Sequence, residues 1–275
     1  MEYKQFGKTG ERVSAVGMGT YYDPLWIIGA TLGFKRKADL KIEAIRAGIE
    51  EGMNLIDTAE IYRSEPLVAK AIKGIKRDEL FIATKVWSNH LRKEKLVKAL
   101  NNSLKRLELN YVDLYQIHFP NSRVPISETM GAMEELVDQG KIRYIGVSNF
   151  TLEQMVEAIS SLKKYELAST QMSYSLADRR IERDILPYCK KEGIAVLAYY
   201  PLAHGKLSKT DKLIELSKKY NKTPAQISLN WLLSRENVFP IPRASNPQHV
   251  RENAASTGWT LSEEDLKLLD ATFPP

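Results

Sequence analysis

Four side chains of complementary type stand out: Asp57 in NLIDTAEIY, Tyr62 five residues on, Lys85 in ATKVW and His118 in QIHFP. Singly each has a plain structural role. An Asp at a strand end caps a turn, a lone Tyr or His packs, and a Lys–Asp pair can be a structural ion pair. Together they supply a proton donor, a cation to make it acidic, an anion to place that cation and a second hydrogen-bond donor. Free tyrosine titrates near ~10 and is a poor acid at neutral pH. A nearby Lys85 ammonium is expected to lower that value, with Asp57 holding the ammonium charged and oriented. Tyr62 then protonates a developing alkoxide, while His118 orients the carbonyl oxygen through a ring N–H. These are the parts for reducing a carbonyl. No side chain delivers hydride, so the set implies a nicotinamide cofactor.

The elements that must hold these residues follow from hydrophobic periodicity. Short β-rich runs at Val13–Met18, Asn54–Ile56, Leu80–Thr84, Val112–Ile117, Tyr144–Val147, Ala168–Met172, Ile194–Ala198 and Val238–Ile241 predict strands. Helical spacing predicts helices over Ala38–Gly48, Leu67–Ile75, Lys93–Leu109, Glu128–Gln139, Leu152–Leu162, Glu182–Glu192, Thr223–Leu233, Asn246–Ala254 and Ser262–Leu269. Thr151 with Gln154, and Thr223 with Gln226 after Pro224, read as capping boxes. Strands that alternate with helices imply a parallel sheet, and runs such as ELFIAT are apolar enough for burial on both faces. The expected fold is α/β: a (β/α)8 barrel with an N-terminal β-hairpin, Tyr3 to Val16, plugging its bottom. No linker interrupts residues 1–275, which predicts a single domain. In such a barrel the C-terminal strand ends carry the active site. That rule adds Ser148, Asn149, Gln171, Tyr199 and Tyr200 to the candidates.

Composition narrows the partners. The 275 residues hold 40 Lys+Arg against 34 Asp+Glu, a net charge of +6 without a basic block, so nucleic acid is not expected. No apolar run is long enough to span a bilayer, and the charged N-terminus does not read as a signal peptide. Cys189 is the sole cysteine, and a reducing compartment follows. The expectation is a cytoplasmic monomer acting on a small carbonyl or alcohol, with no membrane contact. Gly7-Lys8-Thr9 lacks the upstream glycine of a P-loop, and no G-x-G-x-x-G follows a strand. His90, His118, His204 and His249 show no metal-ligand spacing, so no metal is expected.

GMNLIDTAEIY, ATKVW, LYQIHFP, GKIRYIGVSNF, LAYYPLAHG and IPRASNPQHVRENAAS together make the chain resemble the aldo-keto reductase family over nearly its whole length. The resemblance implies a barrel binding NADPH, or NADH, across its mouth, with Asp57, Tyr62, Lys85 and His118 as the catalytic tetrad. It implies further that Ser148, Asn149 and Gln171 hold the nicotinamide carboxamide and that Tyr199 stacks on the ring. Pro201, Leu202 and Ala203 fall on the pyrophosphate side, with Gly19, Thr20, Asp57 and Tyr200 also near the cofactor. Arg243, Ser245, His249, Glu252 and Asn253 fall at the adenosine end.

Three departures stand out. Arg63 follows Tyr62 where the family usually has Gly, and Tyr200 replaces a small Ser. The apolar segment DPLWIIGATLGF, residues 23–34, is unusual. Its Trp26, with Tyr21, Trp87 and His118, is expected to wall the substrate site, or else the segment packs on the barrel rim. Two rival functions remain. One is a lyase using Lys85 as a Schiff base, disfavoured because Asp57 keeps the amine charged. The other is a non-catalytic NADPH-binding subunit like the potassium-channel β-subunits, whose long N-terminal extension a chain opening on its hairpin is not expected to carry.

Overall fold

The computed structural model describes residues 1–34 and 36–275. The chain opens on an antiparallel hairpin, β1 (Tyr3–Gln5) with β2 (Arg12–Ser14), in which Lys4 faces Val13. Gly7 turns the hairpin at φ 55°, and a Cβ there would meet the Gly193 carbonyl at 2.6 Å. Only glycine meets both demands. Phe6, fully buried, then sits with its ring 4.9 Å from Phe81 and 5.1 Å from Phe239. The hairpin stoppers the barrel with that one ring.

Strands and helices alternate from there: β3 (Met18–Gly19), α1 (Pro24–Thr31), α2 (Ala38–Glu50), β4 (Leu55–Asp57), α3 (Glu65–Ile72), β5 (Phe81–Val86) and α4 (Lys93–Leu107). Next come β6 (Val112–Ile117), α5 (Ile126–Asp138), β7 (Ile142–Ser148), α6 (Leu152–Ser161), β8 (Leu167–Ser173), α7 (Ile185–Glu192) and β9 (Ala195–Tyr199). The chain finishes with α8 (Asp211–Tyr220), α9 (Pro224–Leu233), β10 (Val238–Pro240), α10 (Pro247–Ala254) and α11 (Glu263–Thr272). Among the described residues β3 to β10 form one eight-stranded parallel sheet in chain order. The sheet closes on itself: Gly17 and Gly19 donate to the carbonyls of Pro240 and Pro242, each at 2.9 Å, and Ala244 donates back to Gly19. A Cβ on Gly19 would meet the Ile241 carbonyl at 2.8 Å, so this seam closes only on glycine. The expected (β/α)8 barrel is the observed one.

Side chains alternate across the sheet with period two. Leu55, Phe81, Ala83, Leu114, Leu197 and Phe239 point inward and fill the barrel with Phe6. Ile56, Ile82, Tyr115, Ile117, Val147 and Val196 point outward into a second core under the helices. Helix α4 buries Leu96, Leu100, Leu104 and Leu107 on one face. Both expected capping boxes form, at Thr151–Gln154 and Thr223–Gln226.

Two expectations need correction. The run Val13–Met18 is two strands, β2 and β3, because Ser14 exchanges bonds with Asn54: its N–H donates to Oδ1 at 2.7 Å and its Oγ accepts from Asn54 N–H at 3.1 Å. Those bonds replace the ladder at the bend. The segment 23–34 contains a helix, α1, with Asp23 accepting from the Trp26 N–H and Pro24 in the first turn. Its residues are apolar all round, so no helical period betrays it. Helix α8 was likewise not expected.

Candidate active site

The inward alternation that places Leu55 and Ala83 in the core places Asp57 and Lys85 two residues later at the mouth. Asp57 ends β4, Lys85 lies near the end of β5, and His118 follows β6. Tyr62 ends a 3-10 turn, Glu60–Tyr62, in the loop after β4. All four are buried. Lys85 donates to Asp57 Oδ2 at 2.7 Å and to the Thr58 carbonyl at 2.8 Å. The other Asp57 oxygen accepts from Gln171 Nε2 at 2.9 Å, so each carboxylate oxygen is held by one side chain. The Tyr62 hydroxyl lies 3.3 Å from His118 Nε2. Sequence reasoning named these four, and they converge.

The electrostatics differ from the expectation in one respect. Burial, and after it the Asp57 charge, holds the Tyr62 phenol well above its ordinary range and outweighs the pull of Lys85 in the other direction. The reason is geometric. The ammonium is directed at Asp57 and Thr58 and lies over the Tyr62 ring, 4.9 Å from its centroid. Burial also lowers the Lys85 ammonium, with the Asp57 charge opposing. His118 is pulled down to about 2 by burial and by the Lys85 charge, which makes it a neutral imidazole at any physiological pH. Its Nδ1 is buried without a partner among the described residues. An unpaired N–H in a dry site costs more than a bare lone pair paired with nothing polar nearby, so we assign the ring proton to Nε2, facing the Tyr62 oxygen.

A second cluster continues around the rim. Ser148 Oγ donates to the Gln171 carbonyl at 2.9 Å, and Asn149 Nδ2 donates to the His118 carbonyl and to Ser148 Oγ, both at 2.9 Å. The Tyr199 hydroxyl donates to Asn149 Oδ1 at 2.8 Å. Asn149 takes φ 60°, a left-handed conformation that Asn tolerates, and this turns its amide inward. Carboxamides and hydroxyls of both polarities thus meet beside the tetrad. Arg243, exposed on the seam after β10, donates one N–H to the Tyr22 carbonyl at 2.6 Å. Ser245 and His249 lie nearby in chain on partly and fully exposed positions, and Asn253 is buried on α10. Pro201 is buried, and Leu202 half-buried, in the stretch leading into a 3-10 segment, Ala203–Lys209.

Other candidates are already engaged. Thr20 Oγ1 bonds the Asp57 carbonyl at 3.0 Å and Ser64 Oγ at 2.9 Å, beneath the site. Glu252 accepts from the Thr223 hydroxyl at 2.5 Å, which turns it toward the start of α9. Tyr200 takes φ 51° and lays its exposed ring 4.0 Å from that of His204. Trp26 is buried, and its indole donates to the Tyr62 carbonyl at 3.1 Å. Tyr21 and Trp87 do flank the tetrad, edge-on to Tyr62 at 5.2 Å and to His118 at 5.4 Å.

Sequence reasoning missed Thr58, Glu60 and Phe119. Thr58 takes the second Lys85 proton through its carbonyl, and Glu60 accepts the Trp87 N–H and lies 3.0 Å from His90 Nδ1. Phe119 stacks on His118 at 5.2 Å and meets Trp87 edge-on at 5.6 Å. Two of these follow Asp57 within DTAEIY and the third follows His118, which is the signal that could have found them. A hollow of about 430 Å³ lined by Tyr111, Gly140, Ile142 and Arg143 lies at the opposite ends of β6 and β7 and contains none of the tetrad.

With this geometry in hand the comparisons are decisive for family. The pattern of the aldo/keto reductase family matches residues 29–273, and the chain belongs to that family. It is similar to "Methylglyoxal reductase YeaE" of Escherichia coli (strain K12), 37% identical over 100% of this chain and 96% of the relative. Among solved structures it resembles the thermostable aldo-keto reductase Tm1743 in complex with the inhibitor epalrestat: TM-score 0.91, 44% identity, covering 98% and 99% of the two chains. An aldo-keto reductase from Klebsiella pneumoniae in complex with NADPH gives TM-score 0.90 at 35% identity, covering 100% and 96%.

Proposed function

We propose that the protein reduces aldehydes and ketones, sugars included, to alcohols with NADPH, reversibly, with Tyr62 as the general acid. The observation that carries this reading is the pairing of a neutral His118 with the protonated Tyr62 hydroxyl, 3.3 Å apart, above the buried Lys85–Asp57 pair. Two donors side by side, 3.3 Å apart, suit an oxygen gaining negative charge. Methylglyoxal reduction by a relative and NADPH in a solved neighbour support the same class.

The residues present fit the cofactor. Ser148, Asn149 and Gln171 offer donors and acceptors matched to a carboxamide, Tyr199 offers a ring, and Arg243 offers guanidinium N–H groups to a phosphate. NADPH supplies the hydride when bound. Tyr62 gives its proton to the substrate oxygen, and His118 holds that oxygen with its Nε2–H. As the phenol loses its proton, the Lys85 ammonium over its ring stabilises the phenolate left behind, and Asp57 keeps Lys85 in place. Trp87 and Phe119 shield one side of His118 from water. NADH serves the same chemistry with fewer contacts.

A Schiff-base lyase is disfavoured because Lys85 is fully buried and its ammonium is bound to Asp57 and Thr58. The proposal extends to a single-domain monomer in the cytoplasm; no described helix is long and apolar enough to cross a membrane, and Cys189 is free and buried. A panel of aldehydes, ketones and sugars with NADPH and NADH, followed at the nicotinamide absorbance, tests the activity. Tight NADPH binding without turnover on any of them would favour the regulatory-subunit reading. A sedimentation mass of twice the chain's would overturn the monomer.

A further inference from the structure

Helix α1 has no charged residue, and of its eight residues only Trp26 is buried, while Leu25 and Ile28 are 74% and 57% exposed. Ile27 and Ala30 touch the core beside it, but Trp26 is the helix's one fully inserted side chain. Trp26 is held through both its backbone and its ring. Its own N–H backbone group donates to Asp23 Oδ1 at 2.7 Å, Tyr22 meets the ring edge-on at 5.5 Å, and the Lys41 ammonium lies over it at 4.5 Å. The indole Nε1–H then donates to the Tyr62 carbonyl at 3.1 Å.

That carbonyl belongs to the peptide leading into Arg63, which takes φ 58° and ψ 17°. A side chain bearing a Cβ is disfavoured in this left-handed region. The peptide that carries the catalytic phenol is therefore followed by a strained residue, and its own turn supplies only the Tyr62 N–H bond to Ala59 at 3.0 Å. The Trp26 bond opposes rotation of that peptide from outside the turn. Rotation there swings the whole Tyr62 side chain, and a displacement of about 1 Å at reacting atoms costs on the order of 100-fold in rate.

We propose that Trp26 is a positioning residue for Tyr62: its indole N–H pins the Tyr62 carbonyl, holds the turn against the left-handed Arg63, and so fixes the phenol opposite His118. The proposal rests on Tyr62 being the acid. It accounts for α1 as a strut, with its apolar outer face incidental to the chemistry.

Trp26→Phe keeps an aromatic ring under Lys41 and removes the N–H together with the fused five-membered ring. With purified enzyme and a good aldehyde substrate, kcat should fall about tenfold while the NADPH Kd, read by fluorescence titration, stays within twofold. Arg63→Gly relieves the left-handed penalty, so it should restore most of the lost kcat in the Trp26→Phe background and change the wild-type rate little. An unchanged kcat in Trp26→Phe, a loss that Arg63→Gly does not restore, or a parallel loss of NADPH affinity would overturn the proposal. Tyr62→Phe measured alongside separates the two failures. If it is active, Tyr62 is not the acid; if it is inactive while Trp26→Phe is normal, only the strut is wrong.

Discussion

The Lys85 ammonium lies over the face of the Tyr62 ring, 4.9 Å from its centroid, and gives its hydrogen bonds to Asp57 and Thr58. Burial keeps the resting phenol protonated in spite of that nearby cation. Its charge acts when the proton leaves. A general acid needs its proton present before the reaction and its conjugate base stabilised during it; burial serves the first demand and the Lys85 charge the second.

Removing Lys85 strands a carboxylate. Breaking one side of a buried ion pair costs about 3–5 kcal/mol, because the remaining charge has no compensation. Lys85→Met should lose that much in urea-unfolding free energy and nearly all turnover. Asp57→Asn combined with Lys85→Met removes both charges and should regain more than half the stability with none of the activity. Stability losses that simply add would mean the pair is not coupled as the 2.7 Å contact implies.

Tyr62→Phe should lower kcat by roughly 10²–10⁴-fold, the scale of acid–base catalysis. Its NADPH affinity should be unchanged, because the hydroxyl is directed at His118 and the substrate oxygen, away from the Ser148–Asn149–Tyr199 cluster. Near-normal turnover in this variant sinks the assignment.

How much of this was legible beforehand depended on whether a residue's role lies in its own side chain or in its neighbours. Asp57, Lys85 and His118 are polar residues at the ends of apolar runs, so strand periodicity alone put them at the barrel mouth. Tyr62 was found because its loop is short. The direction of its titration was not, since that depends on where the Lys85 ammonium is aimed, and a sequence gives no angles. Trp26 was placed among substrate residues because an aromatic in an apolar stretch looks like a wall. Its role depends on a backbone carbonyl 36 residues away, which no side-chain pattern encodes. Helix α1 escaped for the same kind of reason, its cap being plain but its apolar period absent.

His118 makes stability pH-dependent. The folded protein keeps it neutral down to about 2, whereas in the unfolded chain it binds a proton near ~6.5. Between those values the unfolded state holds the extra proton, so this contribution to stability is complete above about 6.5 and falls by ~1.4 kcal/mol per pH unit as the solution is acidified. Urea titrations at pH 7 and pH 5 should show His118→Gln losing about 2 kcal/mol less than wild type over that interval. Equal losses would show that His118 is already protonated in the folded protein. For the same reason kcat should carry no His118 limb between pH 5 and 8.

Phe6 tests the plug. Truncating a fully buried Phe typically costs about 3–5 kcal/mol, and Phe6→Ala opens its cavity between Phe81 and Phe239 at the end of the barrel away from the tetrad. The unfolding free energy should drop by that amount while kcat at 25 °C is retained. A stable variant with impaired kcat would mean that the two barrel ends are coupled.

Arg243 is expected to bias the choice between NADPH and NADH. The adenosine 2′-phosphate of NADPH carries about two negative charges near neutral pH, by analogy with phosphorylated side chains. Arg243 stands exposed at the barrel seam with one N–H on the Tyr22 carbonyl, and its remaining guanidinium donors have no protein partner among the described residues. The bond to Tyr22 orients the fork without neutralising it, since a carbonyl carries no charge. Ser245, half-buried two residues on, can add a neutral hydrogen bond. Glu252 is held toward Thr223 and does not oppose the phosphate from a free position. Wild type should therefore prefer NADPH in kcat/KM, and Arg243→Ala should shrink that preference mainly through the NADPH KM, because the Arg243 guanidinium makes no hydrogen bond to Tyr62 or His118. The preference should also weaken with added salt, as a partly exposed charge contact does. Equal use of NADPH and NADH by wild type, or an Arg243→Ala enzyme whose preference is unaltered, would rule the assignment out.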